Sequence, residues 1–295
     1  MVSKQSELVG DVILVIGKYG QLARCFQDLK PDALFLSSQQ INLIEINKIQ
    51  QVLSRHNPEL ICNFSAFNDV DGAEANENNN LINSEAILEL GKFSMTRKIP
   101  IIHISTDYVF DGTLGNYSEE DQTNPINKYG LAKLNGEQNL LESSYACLII
   151  RTAWLYSRFQ NNFLEKVIFN IVNNRGLRGA YDCIGSPTSA SSLANAINKI
   201  IPRYLNDLSL GGIYHFSNQG SASRYEFIQE IQNSFIKNSS KEYAPQEILK
   251  VKNSSFNLSA KRPRNTSLNS DKISVTFDIK PFHWKEELNK EIINR

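Results

Sequence analysis

The chemistry of this chain is concentrated between Ile99 and Glu137, where a threonine, a tyrosine and a lysine stand at spacings that let them share one site. Tyr129 and Lys133 are four residues apart in a helical pattern, which is one turn and therefore one face. A free phenol titrates near ~10, and an ammonium held close favours its ionised form. The pair is therefore expected to bring Tyr129 toward working pH as a proton donor. Thr106 closes an apolar run from Ile99 that reads as a buried parallel strand, so its hydroxyl would stand at the carboxyl edge of a sheet, where open α/β sheets bind ligands. If a hydride reached a carbonyl carbon there, Tyr129 would protonate the oxygen and Thr106 would hold it. Lys133 would hold both the phenol and a ribose hydroxyl. The implied reaction is carbonyl reduction; the bland alternative is a chance Y-x-x-x-K on an amphipathic helix.

Such a trio needs elements that bring it a cofactor. Asp11 to Ile16 reads as a first buried strand and runs into GKYGQLARCF, a Gly17, Gly20, Ala23 turn that opens a helix with Leu22, Phe26 and Leu29 on one face. Strand, glycine turn and helix form a dinucleotide arrangement: glycines let the backbone approach a pyrophosphate whose charge meets the helix amino end. Glycine turns also follow strands that bind no nucleotide. Ala33 to Ser37 reads as the second strand, and Ser37 and Ser38 stand where many such folds place an acid for the adenosine ribose, which leans toward NADPH over NADH. Asn47 is expected to cap a helix carrying Ile49, Val52 and Leu53. Leu60 to Phe64 reads as the third strand, with Ser65, Ala66 and Phe67 leaving room for a cofactor or simply packing tightly.

Asp71 to Lys98 is expected to be one long helical region, and Ala146 to Arg151 another apolar strand with Trp154 just past its end. That tryptophan can be core or can stack on a base or sugar. Helices are expected over Asn161 to Val172, after Ser189 and over Trp284 to Ile293; Ser223 and Glu226 have the spacing of a capping box. Arg262 and Arg264 lie in an irregular basic stretch, as a solvated loop or a diphosphate clamp. The pattern predicts an α/β protein: a Rossmann-type doubly wound parallel sheet over residues 1–154, to which later segments return, and a smaller carboxyl-terminal lobe over 155–295.

Lys+Arg and Asp+Glu both number 31, so no global field recruits nucleic acid or a membrane surface. Cys25, Cys62, Cys147 and Cys183 form no C-x-x-C pair and sit in apolar surroundings, as free thiols of a reducing compartment do. The polar amino terminus and the short VILVIG run suit neither a signal segment nor a membrane span. The expected location is the cytoplasm.

Taken together, GKYGQLA, NFSAFNDVDGAE, STDYVFDG, NPINKYGLAKLNGE, RTAWLYS, DCIGSPTS, SRYEF and RPRNTSL resemble, in order and spacing, the extended short-chain dehydrogenase/reductases and within them the dTDP-4-dehydrorhamnose reductase family. The resemblance implies NAD(P)H-dependent reduction of the 4-keto group of a dTDP-linked 6-deoxyhexose, with Tyr129 as proton donor, Lys133 as its partner and Thr106 as the tuning hydroxyl. Gly17, Gly20, Gln21, Leu22, Asn42, Leu43, Ser65, Ala66 and Phe67, with Tyr129 and Lys133, would bind the cofactor; Thr106, Asp107, Trp154 and Arg262 would touch the sugar nucleotide, and residues 155–295 would be mainly its binding lobe. Asn42-Leu43 replaces the family's usual Asp and apolar residue near the adenine, and Cys183 replaces its glutamine before the Gly-x-Pro-Thr turn. Some relatives bind magnesium at a dimer contact through carboxylates, which makes magnesium and a homodimer part of what the resemblance implies, but no carboxylate cluster here names ligands, so no metal residue is assigned. Two rivals remain: a reductase of another 4-keto nucleotide sugar, and a non-catalytic dinucleotide-binding subunit similar to the β-subunit of methionine adenosyltransferase.

Overall fold

The computed structural model describes residues 12–159 and 162–295; Asp11 and Asn161, at the start of two expected elements, lie outside them. Six strands form one parallel sheet in the order β10-β5-β4-β3-β1-β2, with β1 Ile13–Ile16, β2 Leu34–Leu36, β3 Leu60–Asn63, β4 Ile101–Thr106, β5 Cys147–Thr152 and β10 Gly212–His215. Strand β1 pairs with β2 on one side and β3 on the other, so the order reverses there and leaves a crevice at the carboxyl ends.

Alternation along the strands fills two cores. Val15, Ile102, Leu148 and Ile150 face helices α1 (Gln21–Leu29), α7 (Ala190–Asn206) and α9 (Asp271–Phe277) through Phe26, Ile197 and Phe277. Leu14, Ile16, Ile101 and Ile149 face the opposite way, toward α2 (Ile49–Ser54), α4 (Ala86–Arg97) and α5 (Lys128–Ser143) through Leu53, Leu90 and Leu140. With apolar residues on both faces, these strands are central members of a doubly wound Rossmann-type sheet.

The rest of the chain builds a lobe over the carboxyl edge. It contains α6 (Phe163–Val172), α8 (Arg224–Asn238) and α10 (Trp284–Ile293), packed around Phe227 and Trp284. Three short strand pairs connect it: β6 (Leu155–Tyr156) with β9 (Thr188–Ser189), β8 (Ile184–Gly185) with β11 (Ala222–Ser223), and β7 (Leu177–Ala180) with β12 (Ile248–Val251). Ser189 caps α7 by accepting from Ser192 N, and Ser223 with Glu226 forms a full capping box on α8.

Two sequence expectations are corrected. The stretch from Asp71 to Lys98 is broken into a 3-10 turn at Gly72–Glu74, a short α3 (Asn78–Asn80), a π turn at Leu81–Glu85 and only then α4. Helix α5 presses there so closely that a Cβ on Gly136 would come within 2.1 Å of the Asn83 carbonyl, and Asn83 turns inward to hold the Phe67 backbone at both N and O. Asn47 does not cap α2, since it lies inside a 3-10 turn at Ile46–Lys48 that runs directly into the helix.

Candidate active site

The crevice at the carboxyl edge opens into a cavity of about 350 Å³ that Thr106, Tyr129 and Lys133 line together. Each arrives on a different support. Thr106 is the last residue of β4, and its Oγ1 accepts from Tyr108 N at 3.2 Å, capping the turn Asp107–Val109. Tyr129 and Lys133 occupy successive turns of α5, whose start is fixed by Asn127 Oδ1 accepting from Gly130 N at 2.8 Å. The Tyr129 ring meets Tyr108 edge-on at 5.9 Å.

The electrostatics differ from the sequence expectation. Burial pushes the Tyr129 phenol up, and the Thr106 hydroxyl works against that shift. Lys133 does not pull it down: its Nζ donates to Ile104 O at 2.7 Å and lies 3.3 Å from His103 Nε2, on the sheet side. Burial lowers Lys133 to about 8, with Glu137 one turn on pulling the other way. In the protein alone, the phenol therefore holds its proton at neutral pH and the lysine is the group that titrates near it.

Beneath this pair lies a buried ion pair. Glu137 accepts from Ser105 Oγ at 2.5 Å and from Arg151 Nε at 3.0 Å and Nη2 at 2.7 Å, with both charged side chains almost fully buried. It ties α5 to β4 and β5, at Ser105 next to Thr106 in the chain. Asp107 is 2% exposed, accepts from Thr266 and Thr106, and is raised by burial to about 6.

The residues assigned to the cofactor separate into three groups. Gly20, Gln21, Leu22, Ser65 and Ala66 line the cavity. Gly17 stands behind it at φ +104°, where a Cβ would meet Ser65 N at 3.0 Å, so the glycine lets the first turn close onto the end of β3. Phe67 is held aside by Asn83, Asn42 is exposed and bonded to Glu45, and Leu43 is buried in the core, so none of these three lines the cavity. Trp154 lines it from a left-handed backbone at φ +43°, and Arg262 lies outside it, paired with Asp71 at 2.6 Å.

The lining suits the pyrophosphate of a dinucleotide. Helix α1 begins at Gln21 with no side-chain cap, so its first amide groups are available at the turn, and the Thr152 hydroxyl is buried in the cavity wall with no partner among the described residues. Three residues went unmarked in the sequence reading. Tyr108 and Arg224 both line the cavity, and Gly185 gives the Trp154 indole its space, since a Cβ there would fall 2.4 Å from the ring. Among the described residues no group of three or more His, Cys, Asp or Glu could hold a metal ion.

The model of the RmlD substrate binding domain family matches residues 11–295. The chain is 31% identical over 285 residues to dTDP-4-dehydrorhamnose reductase of Sinorhizobium fredii, covering 94% of this chain and 95% of that protein. It is 33% identical over 224 residues to dTDP-4-keto-6-deoxy-D-glucose reductase of Streptomyces niveus, covering 72% and 75%. Its fold superposes on the crystal structure of dTDP-4-dehydrorhamnose reductase from Bacillus anthracis in complex with NADP, with a TM-score of 0.87 and 29% identity over 97% of this chain and 99% of that one.

Proposed function

Because the chain belongs to the RmlD substrate binding domain family, we propose that it reduces the 4-keto group of a dTDP-linked 4-dehydro-6-deoxyhexose with NADPH, forming dTDP-L-rhamnose from dTDP-4-dehydro-L-rhamnose. The observation that carries this reading is the one cavity that joins Thr106, Tyr129 and Lys133 to the Gly20–Leu22 turn at the point where the strand order reverses. NADPH would lie along Gly20, Gln21, Leu22, Ser65 and Ala66, and when bound it supplies the hydride. The bound cofactor of the Bacillus anthracis neighbour supports NADPH over NADH.

The chain's own groups do the rest. Tyr129, kept protonated by burial, gives its proton to the substrate oxygen, and Thr106 holds that oxygen and orients the phenol. Lys133, lowered by burial to about 8 and anchored on Ile104 O, lines the same cavity and would hold a ribose hydroxyl of the cofactor. Asp107 and Trp154 border the sugar, and Arg262 stands toward the nucleotide. We assign cofactor binding to residues 1–154 with the later segments that return to the sheet, and sugar-nucleotide binding mainly to 155–295. Four buried free thiols support a cytoplasmic location; among the described residues no helix is long and apolar enough to cross a membrane.

The Streptomyces niveus relative supports a second reading, reduction of a different dTDP-4-keto sugar. An NADPH-oxidation assay with a panel of 4-keto nucleotide sugars separates the two. Turnover strongest with dTDP-4-dehydro-L-rhamnose supports the first, preference for another sugar supports the second, and no turnover with any member overturns both.

A further inference from the structure

A second cavity of about 380 Å³ opens beside the first, and Tyr108, Trp154 and Arg224 belong to both walls. Among the described residues its charged lining consists of Lys166, Arg178, Arg224 and Arg262, with no carboxylate. Since the whole chain carries no net charge, this is a local concentration of positive charge. The four cations are not equivalent. Arg262 is committed to Asp71 and to Ala260 O, Arg178 donates to Ser255 O at 3.2 Å, and Lys166 is exposed to solvent.

Arg224 differs from all three. Its guanidinium carbon lies 3.4 Å from the Trp154 ring centroid and 4.7 Å from that of Phe163, yet among the described residues no oxygen accepts a hydrogen bond from it. The nearest acid, Asp107, is engaged by Thr266 and Thr106. Burial works against the charge of Arg224. Arg224 is half-buried and its nitrogens are not sealed off by protein, so its N–H groups are open to a ligand oxygen at this seam. The aromatic rings take up no N–H group, so the guanidinium keeps its donor fork, which matches two oxygens of one phosphate or carboxylate. The stack is itself a built feature: Trp154 holds a left-handed backbone conformation, and the absence of a side chain at Gly185 makes room for the indole.

We propose that Arg224 is the specificity-determining residue that grips the sugar-proximal phosphate of the nucleotide sugar at the seam between the two cavities. The inference rests on the reductase reading above, which places the ketone beside Tyr129 in the first cavity and Arg262 toward the nucleotide; Arg262 lines the second cavity, which leaves that cavity for the nucleoside. The group joining them is the diphosphate, with its β-phosphate on the sugar side. Arg224 thus distinguishes a diphosphate from a monophosphate.

The test is calorimetric titration of dTDP, dTMP, thymidine and NADPH into the full chain, as wild type, Arg224→Gln and Arg224→Lys. Loss of a charge-assisted bidentate contact is expected to weaken dTDP by about ten- to a hundredfold in Arg224→Gln. Arg224→Lys, a point charge without the fork, should fall between it and wild type. Affinities for dTMP, thymidine and NADPH should stay within about threefold. Unchanged dTDP affinity in both variants would overturn the proposal, and so would an equal loss for dTDP, dTMP and thymidine, which would make Arg224 a support of the cavity wall. A wild-type chain that binds NADPH but no dTDP would instead sink the nucleotide-sugar reading on which the proposal stands.

Discussion

Glu137→Gln removes one charge from a pair in which Glu137 and Arg151 are 1% and 3% exposed, and leaves the guanidinium behind. Glutamine keeps the shape and one acceptor for Ser105, so what disappears is mainly charge. Two unit charges about 4 Å apart at an effective dielectric constant of about 20 interact by about 4 kcal/mol, which agrees with the ~3–5 kcal/mol typical of breaking a buried pair. The remaining neighbours of Arg151 do not replace the carboxylate. Phe110 offers a ring face at 5.2 Å, and His215, 3.4 Å away, is pushed down to about 3 by burial and then by Arg151 itself, so it is neutral. Urea unfolding followed by circular dichroism should show the loss as a lower midpoint at unchanged slope, and heating should show a fall on the order of 10 °C. The double variant Glu137→Leu with Arg151→Met removes both charges and should recover most of the stability. A single variant that loses less than about 1 kcal/mol, or a double variant as unstable as the sum of its parts, would refute the reasoning.

Other consequences follow from buried titratable groups and close contacts. Asp107 is raised to about 6 in the folded chain, so its favourable contribution is full at low pH and lost as pH rises through 6. Asp107→Asn should therefore be more stable than wild type by about 1–3 kcal/mol at pH 7.5, with the advantage gone near pH 4, as unfolding at several pH values would show. Lys133 is depressed to about 8, so the folded chain is penalised below that pH and relieved above the unfolded value. Lys133→Met should gain stability at pH 7 that shrinks as pH rises from about 8 to about 10.5, while NADPH oxidation collapses. Gly185→Ala should drive the Trp154 indole from its place, costing about 1–3 kcal/mol and raising the KM for the sugar nucleotide while NADPH binding is kept; an unchanged KM would show the indole to be dispensable.

What was legible in the sequence was local. The first strand, its glycine turn and its helix occupy one continuous stretch, and the α5 face follows from a spacing of four residues, so period and turn chemistry sufficed. The capping box at Ser223 and Glu226 was equally visible, and it masked the arginine between them: Trp154 and Phe163, which give Arg224 its meaning, come from distant elements. The direction of Lys133 was also hidden, because its acceptor is the backbone carbonyl of Ile104 rather than a side chain. Leu43 carried a family position into the hydrophobic core, where burial decided its role. The break before α4 depends on how closely Gly136 approaches Asn83, a contact between two helices that neither segment announces alone.

The central claim is that the Tyr129 phenol protonates the reduced oxygen. Its most direct test is the rate of NADPH oxidation by Tyr129→Phe with saturating dTDP-4-dehydro-L-rhamnose, measured beside the NADPH affinity of the same variant. If the phenol is the proton donor, kcat falls by about 10²–10⁴ while that affinity stays within about threefold of wild type. Turnover at the wild-type rate would contradict it.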